Sequence, residues 1–232
     1  MRINKFHIGI VLAIVCVGML VSAFFVPWWT IEADERGPPP PAVPTVYVNS
    51  THDFRLLGVS TSQLTETRIP GDTPEERTWS NSYSEIEDSE LDAHFQILLV
   101  LVTVGTILAV LFPVFHLLSR RKAVLKSLAL VLGFAVIFVM LGSATYLHDN
   151  VPSEVGNSQA GLKETLEIEA PDIQTFAGSD YDQTPLSATE TTWGPSLGWY
   201  STFVMCVTML FAIWFTESRP KTEEEPEEEP ED

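Results

Sequence analysis

Four long apolar segments, separated by polar stretches, dominate the pattern of this 232-residue chain. They run over 8–29, 95–118, 123–147 and 197–215. Each has about 20 residues or more, which is the length that an α-helix needs to cross the ~30 Å hydrocarbon layer of a bilayer. None carries Asp, Glu or Arg in its central part. The pattern therefore predicts a membrane-embedded, all-α bundle of four transmembrane helices.

The first long polar stretch, 30–93, is typical of a small β-structure. Runs rich in β-branched or alternating residues mark strands, and clusters of Asn, Asp, Gly and Pro mark turns. The predicted strands are 45–48, 54–59, 63–69 and 77–84. A turn is expected over 49–53, and a stiff polyproline segment over 34–44.

The second long polar stretch, 148–196, is less regular, and one strand is expected over 166–169. Before the second apolar segment, Ser84 and Glu87 have the spacing of a capping box, so a helix is expected to begin near residue 86. A few strands without disulfides are marginal by themselves. We therefore expect a small β-rich cap that rests on the ends of the helices.

Basic residues are spread unevenly among the polar stretches, and this asymmetry predicts the orientation. The short link 119–122 carries three basic residues and no acid. In contrast, 30–93 carries four Arg against thirteen acids, and 148–196 carries one Lys against nine. Because Lys and Arg near span ends mark the cytoplasmic side, we expect a multi-pass protein of the cell membrane with both termini in the cytoplasm and both long loops outside.

The first apolar segment and the C-terminal tail each need an interpretation of their own. The segment 8–29 follows a basic start and contains Val21-Ser22-Ala23, a passable cleavage motif, so a signal peptide is the alternative to a retained span. Its continuation to Trp28-Trp29 favours retention. The tail 216–232 is rich in acids, contributes to the net charge of -18, and is expected to be disordered in the cytoplasm.

Small residues recur along the apolar segments at spacings that allow close approach of helix backbones. These candidate packing residues are Gly9, Ala13, Gly18, Ser22, Gly105, Ala109, Ala129 and Gly133. Packing within the chain's own bundle is the favoured interpretation, and a dimerisation face is the alternative. Both cysteines, Cys16 and Cys206, also lie in apolar segments and are expected to be buried thiols.

Aromatic residues gather at the ends of the apolar segments, where headgroup-level rings fix the vertical position of helices. The predicted interface anchors are Trp28, Trp29, Trp193, Trp199, Tyr200 and Trp214.

The sequence has few groupings that indicate chemistry. It contains no Gly-rich phosphate loop, HExxH, paired CxxC or GxSxG, so we predict neither an enzyme nor a bound cofactor. A candidate cation cluster lies just before the second span and consists of Glu85, Glu87, Asp88, Glu90 and Asp92. Favourable interaction of acids with a helix N-terminus is the other explanation.

Two further candidates lie in or beside the long polar stretches. His94 and His148 could meet as a metal or pH-sensing pair. Asn49-Ser50-Thr51 fits the glycosylation acceptor pattern, which makes Asn49 a candidate acceptor.

The overall layout resembles the claudin and peripheral-myelin-protein group, whose members have four spans, both ends inside, a strand-containing first loop and a Trp at the exit of the first span. Here Pro27-Trp28-Trp29 stands at that exit. The first loop contains Trp79 but lacks the two cysteines of the claudin signature, so barrier function is not implied. A second resemblance is to four-span proteins of archaea. It rests on Pro27-Trp28-Trp29 together with Trp193-Gly194-Pro195-Ser196-Leu197-Gly198-Trp199-Tyr200, and it implies no activity.

These features predict a non-enzymatic protein that acts through protein contacts, with residues 45–92 and 162–193 of the cap carrying recognition. The expected partners are the lipid bilayer and either another protein or further copies of the chain, and no nucleic acid. An accessory subunit of a channel, transporter or membrane enzyme is the main alternative. A sensor of an extracellular cation or small ligand is the second alternative.

Overall fold

The computed structural model describes residues 5–37, 46–67, 73–119, 123–167, 173, 175–184 and 187–217. Its four long helices are α1 (Lys5–Ser22), α2 (Leu91–Leu118), α3 (Ala123–Asn157) and α5 (Leu197–Glu217). Each is long and apolar enough to cross a membrane. The prediction of four candidate membrane helices is therefore confirmed.

The four long helices pack side by side. α1 contacts α2 and α5, and α3 also contacts α2 and α5. The backbones approach closely at glycine: a Cβ at Gly105 of α2 would lie 2.8 Å from the sulfur of Met140 in α3. A Cβ at Gly133 of α3 would lie 2.8 Å from Ile213 in α5. These glycines let neighbouring helices approach closely within one chain.

The predicted helix boundaries need three corrections. α1 ends at Ser22, whereas Trp29, the last residue of the predicted span, is the first residue of a strand. α2 begins at Leu91 rather than near residue 86. α3 continues to Asn157, well past the predicted end at 147, because Val151 and Val155 give the extension a buried apolar face.

The capping box is also displaced from its predicted position. It is formed by Ser82 and Glu85 rather than by Ser84 and Glu87. It begins a short 3-10 turn, Tyr83–Glu85, and not the long helix that follows.

Both long polar stretches contribute to a single antiparallel sheet of six strands. The strands are β1 (Trp29–Arg36), β2 (Val46–Arg55), β3 (Gly58–Thr67), β4 (Glu75–Asn81), β5 (Gly178–Gln183) and β6 (Ala188–Pro195). Their spatial order is β4-β3-β2-β1-β6-β5. Because β1 pairs with β6, the two stretches lie at the same end of the helices.

The first stretch folds differently from the predicted strand pattern. The segment 49–53, predicted as a turn, lies inside β2 and pairs with β1 and β3. The turn instead falls at Leu56 and Leu57, inside the predicted strand 54–59, and is followed by Gly58 with φ 153°. Polar residues at 49–53 resemble a turn sequence, but pairing on both sides overrides that local preference.

Two further predictions concern segments that are only partly described. Residues 34–36 belong to β1 rather than to a polyproline segment, and 38–44 lie outside the described residues. Leu166 ends a helix, α4 (Gln159–Leu166), rather than beginning a strand, and 168–169 lie outside the described residues. Similarly, Thr216 and Glu217 of the predicted tail belong to α5, and 218–232 are not described.

The sheet is seated on the helices by a group of aromatic rings. Trp29 and Phe54 contact each other edge to face, with ring centres 5.3 Å apart. Tyr83 stacks on Phe95 of α2 at 4.2 Å, and Phe54 stacks on Phe95 at 6.4 Å. Trp29 and Phe54 are fully buried and belong to the same apolar core as the helices. Sheet and helices therefore share one core.

The two cysteines lie in this helical core. Cys16 of α1 and Cys206 of α5 are both buried, and both thiols are free. The thiol of Cys16 points to the carbonyl of Met205 at 3.7 Å, and that of Cys206 to the carbonyl of Ile137 at 4.0 Å. The expectation of buried thiols is confirmed.

Candidate functional site

Two tryptophan-containing segments, 27–29 and 193–200, meet where the sheet joins the helices. Their strands, β1 and β6, are paired. At the start of α5 the backbone approaches the ring of Trp28 so closely that a Cβ at Gly198 would lie 2.7 Å from it. The junction joins the two polar stretches in one sheet.

The face of the sheet that looks toward the helices, here named the inner face, changes character along the strands. Near the helices it is apolar and buried, as at Ile31 and Val59. Farther away the same face becomes polar, and a cleft of about 440 Å³ separates it from α4. The cleft is lined by Ala33, Glu35, Val48, Ser50, Gln63, Lys163, Glu167 and Thr189. Its volume is in the range of ligand-binding pockets, about 300–1,000 Å³.

The helix α4 forms one wall of this cleft and is held in place by close backbone contacts. A Cβ at Gly161 would collide with the carbonyl oxygen of Glu87, so only glycine permits this approach. Lys163 of α4 and Glu167, which follows the helix, line the cleft. Glu167 has φ 58°, a left-handed conformation that commonly ends a helix, and it is the C-cap residue of α4.

Charged groups give the cleft an acidic balance. Glu35 and Glu167 contribute two carboxylates, and Lys163 contributes one ammonium group. All three side chains are exposed at the cleft, where water also reaches them. A basic or cationic group is therefore the better electrostatic match for this site.

A buried histidine lies on the inner face, one step along β2 from the cleft residue Ser50. His52 is 1% exposed and hydrogen-bonds through Nδ1 to the hydroxyl oxygen of Thr61 at 3.0 Å. Burial lowers its pKa to about 4, because the charged ring would lose its hydration. Its ring is therefore neutral near pH 7. The turn predicted over 49–53 included His52, so its burial in a strand was not expected; the alternation of residues 48–54 was the available signal.

The five acids predicted as one cation cluster have different surroundings. Glu85 accepts the amide hydrogen of Ser82 at 3.1 Å. Asp92 accepts a hydrogen bond from Gln96 at 2.7 Å. Glu87 and Asp88 are exposed. Only Glu90 joins a group of ligand-bearing side chains in the described part of the chain, and its companions there lie outside the predicted five.

The two histidines predicted as a pair have separate partners. His94 hydrogen-bonds to the hydroxyl of Tyr146 at 2.7 Å. His148 pairs with the carboxylate of Asp149 at 2.7 Å and packs against the ring of Phe176. The group that includes His94 does not include His148.

Asn49 lies in β2 rather than in the predicted turn, and it remains exposed. Its side-chain amide donates to the carboxylate of Asp34 on β1 at 2.6 Å. An attached glycan would have to replace this cross-strand bond. Glycosylation of Asn49 stays a prediction.

The aromatic residues predicted as interface anchors divide into two groups. Trp28 and Trp29 are completely enclosed by protein, so their rings do not reach the surface. Tyr200 and Trp214 are 54% and 63% exposed, and Trp193 and Trp199 are partly exposed. The anchoring role stays a prediction for these four residues.

The predicted packing residues divide in the same way. Those that are buried among the helices are Gly9, Ala13, Gly105, Ala109, Ala129 and Gly133. Gly18 and Ser22 instead lie on the exposed face of α1, and a Cβ at Gly18 would meet nothing within 4 Å. The first group therefore lies inside the bundle and these two residues lie outside it, and the packing role stays a prediction.

Comparison with known proteins adds no family to these observations. No family model matches the chain, and no curated protein matches it significantly.

Proposed function

We propose that this chain is a multi-pass protein of the cell membrane that acts by binding rather than by catalysis. In this proposal the sheet and α4 together form an extracellular cap, and the basic link 119–122 and both termini lie in the cytoplasm. The four apolar helices support insertion in a membrane. The excess of basic residues in the link supports the orientation.

The cap is proposed to recognise a protein partner through the cleft between the inner face and α4. The observation that carries this proposal is the cleft itself. Most of its lining residues come from 45–92 and 162–193, the two segments for which the sequence predicts recognition. Carboxylates of Glu35 and Glu167 on opposite walls favour a partner segment that carries a Lys or Arg side chain. The partner is either another protein or a second copy of this chain.

Site-specific photocrosslinking in the native membrane tests this function. A crosslinking residue at Gln63 would lie in the cleft, whereas one at Ser62 would lie on the opposite face of the same strand. We expect a protein adduct from position 63 and little or none from position 62. Equal adducts from both positions, or none from position 63, would contradict recognition in the cleft.

Charge variants show whether the acids of the cleft guide the interaction. We expect Glu35→Gln combined with Glu167→Gln to lower the yield of the adduct from position 63. Glu32→Gln is the matched control, because Glu32 is an exposed acid on the opposite face of β1. An adduct with the mass of two copies would identify self-assembly, and one with a subunit of a larger complex would identify an accessory subunit.

A small cationic ligand is the second candidate for the cleft, and the cleft volume of about 440 Å³ favours it. In that case the chain would act as a ligand sensor. If position 63 gives no protein adduct, saturable binding of a soluble amine that Glu35→Gln combined with Glu167→Gln weakens would support this candidate over a protein partner.

A further inference from the structure

Three side chains with metal-binding atoms converge where α2 begins beside α3. They are Glu90, His94 and Glu154, here named the triad, and one ligand atom from each lies within 4.8 Å of the other two. Glu90 is the residue just before α2, and the amide of His94 donates to its carbonyl oxygen at 3.1 Å, so both residues lie on one side of the first turn. Glu154 comes from the extension of α3 that was not predicted.

Two members of the triad are oriented by neighbouring groups. The hydroxyl of Tyr146 is hydrogen-bonded to Nδ1 of His94 at 2.7 Å, which fixes the plane of the ring. One carboxylate oxygen of Glu154 accepts the amide hydrogen of Glu90 at 2.6 Å and the hydroxyl hydrogen of Ser158 at 2.9 Å. Such outer partners are typical of metal ligands, because they hold the ligand atoms in place before the metal binds.

Capping of a helix explains only part of this arrangement. Glu154 satisfies the amide at the start of α2, which is a structural role. The side chain of Glu90 makes no hydrogen bond or ion pair with any residue that the structure describes, yet it lies beside the carboxylate of Glu154. Two neighbouring carboxylates repel each other, and a cation between them would remove that repulsion.

The set of donor atoms indicates the class of cation. Ca²⁺ and Mg²⁺ prefer oxygen ligands alone, whereas an imidazole together with carboxylates suits Zn²⁺ and related transition metals. Three protein ligands would leave a further position of a Zn²⁺ ion for water or for a group from a partner.

We propose that Glu90, His94 and Glu154 bind a divalent transition-metal ion, with Zn²⁺ as the representative. The ion joins the start of α2 to the extension of α3. Because Glu154 is also hydrogen-bonded to Ser158, the residue before α4, the same site braces the helix that forms one wall of the cleft. This inference does not depend on what the cleft recognises.

Titration of the chelator-treated, full-length protein in detergent with Zn²⁺ tests the site, with isothermal calorimetry as the readout. We expect saturable binding that His94→Gln weakens at least about tenfold. Glu90→Gln should weaken it similarly; it removes only the charge of the side chain and retains the backbone amide that bonds to Glu154. His148→Gln is the matched control, since His148 has its own partner outside the triad, and it should leave the affinity unchanged.

The inference fails if Zn²⁺ binds no more tightly to the wild type than to the two triad variants. It also fails if His148→Gln lowers the affinity as much as His94→Gln does. A titration with Ca²⁺ provides the last comparison. If Ca²⁺ binds as tightly as Zn²⁺ and His94→Gln does not change its affinity, acidic residues attract cations in general and the triad is not a transition-metal site. Melting curves with and without Zn²⁺ check that each variant is folded.

Discussion

Protonation of His52 is expected to make the stability of the sheet depend on pH. The ring is 1% exposed on the inner face, between Ile31 on β1 and Thr61 on β3, and burial lowers its pKa from 6.5 to about 4. In the opened sheet the ring regains its ordinary pKa. Between these two values the opened state binds more protons than the folded state, so the folded sheet loses stability as the pH falls.

The size of the effect follows from the difference between the two pKa values of His52. At about 1.4 kcal/mol per pKa unit, the folded sheet should lose roughly 3 kcal/mol between pH 7 and pH 4. This corresponds to an increase of about two orders of magnitude in the equilibrium constant for opening. The loss begins below the ordinary histidine pKa and is complete near the folded one.

Hydrogen exchange of peptides from β2 and β3, measured by mass spectrometry in detergent, reports this opening. Rates corrected for intrinsic exchange at pH 7.5, 6 and 4.5 give the free energy of opening at each pH. Acidic residues also titrate in this range, so the informative quantity is the difference between wild type and His52→Gln. The variant should be less stable at pH 7.5 but should lack the histidine-dependent part of the slope.

The control for this measurement is His148→Gln, which removes an exposed histidine and should keep the wild-type slope. The reasoning is refuted if wild type and His52→Gln lose stability equally as the pH falls. It is also refuted if the slope disappears in the His148→Gln variant instead.

Two pairs of substitutions test the packing of the core. Gly198→Ala would place a Cβ 2.7 Å from the ring of Trp28 and is expected to cost about 1–3 kcal/mol, whereas Gly18→Ala has open space and should be neutral or slightly stabilising. Thermal unfolding in one detergent checks both, and equal melting temperatures for the two variants would contradict the packing described. Phe54→Ala should cost about 3–5 kcal/mol, because Phe54 is fully buried in the aromatic junction. Leu57→Ala, at a site 65% exposed, should change the free energy of unfolding by less than about 0.5 kcal/mol, and a similar loss from both would argue against the junction.

The helices could be predicted because length and hydropathy suffice to recognise a span. The ends of the helices were harder to predict. Trp28-Trp29 continues the apolar run of α1, and a short apolar run suits the start of a buried strand equally well. The extension of α3 did leave a signal, since Leu147, Val151 and Val155 recur every four residues and are all buried.

The cleft and the triad depend on contacts between distant parts of the chain, and no local pattern contains them. The cleft exists because β1 pairs with both β2 and β6 to form the inner face, while Gly161 lets α4 pack against the backbone of Glu87. Glu35 and residues of α4 therefore line the same cleft. In the triad, the spacing of Glu90 and His94 was visible in the sequence, whereas the position of Glu154 required the helical extension of α3.

The inner face is apolar near the helices and polar farther away, which explains how a small sheet can be stable and still line a cleft. A sheet formed from loops, without disulfides, has too little core of its own to be stable. Here the helix-proximal part is buried against the bundle through Phe54, and this contact stabilises strands whose far ends also line the cleft. Because the same strands serve both regions, the core near the helices holds the cleft residues in place without filling the cleft. A substitution in the aromatic junction should therefore disturb the recognition proposed for the cleft from a distance, whereas one in the cleft should change that proposed recognition with little effect on stability.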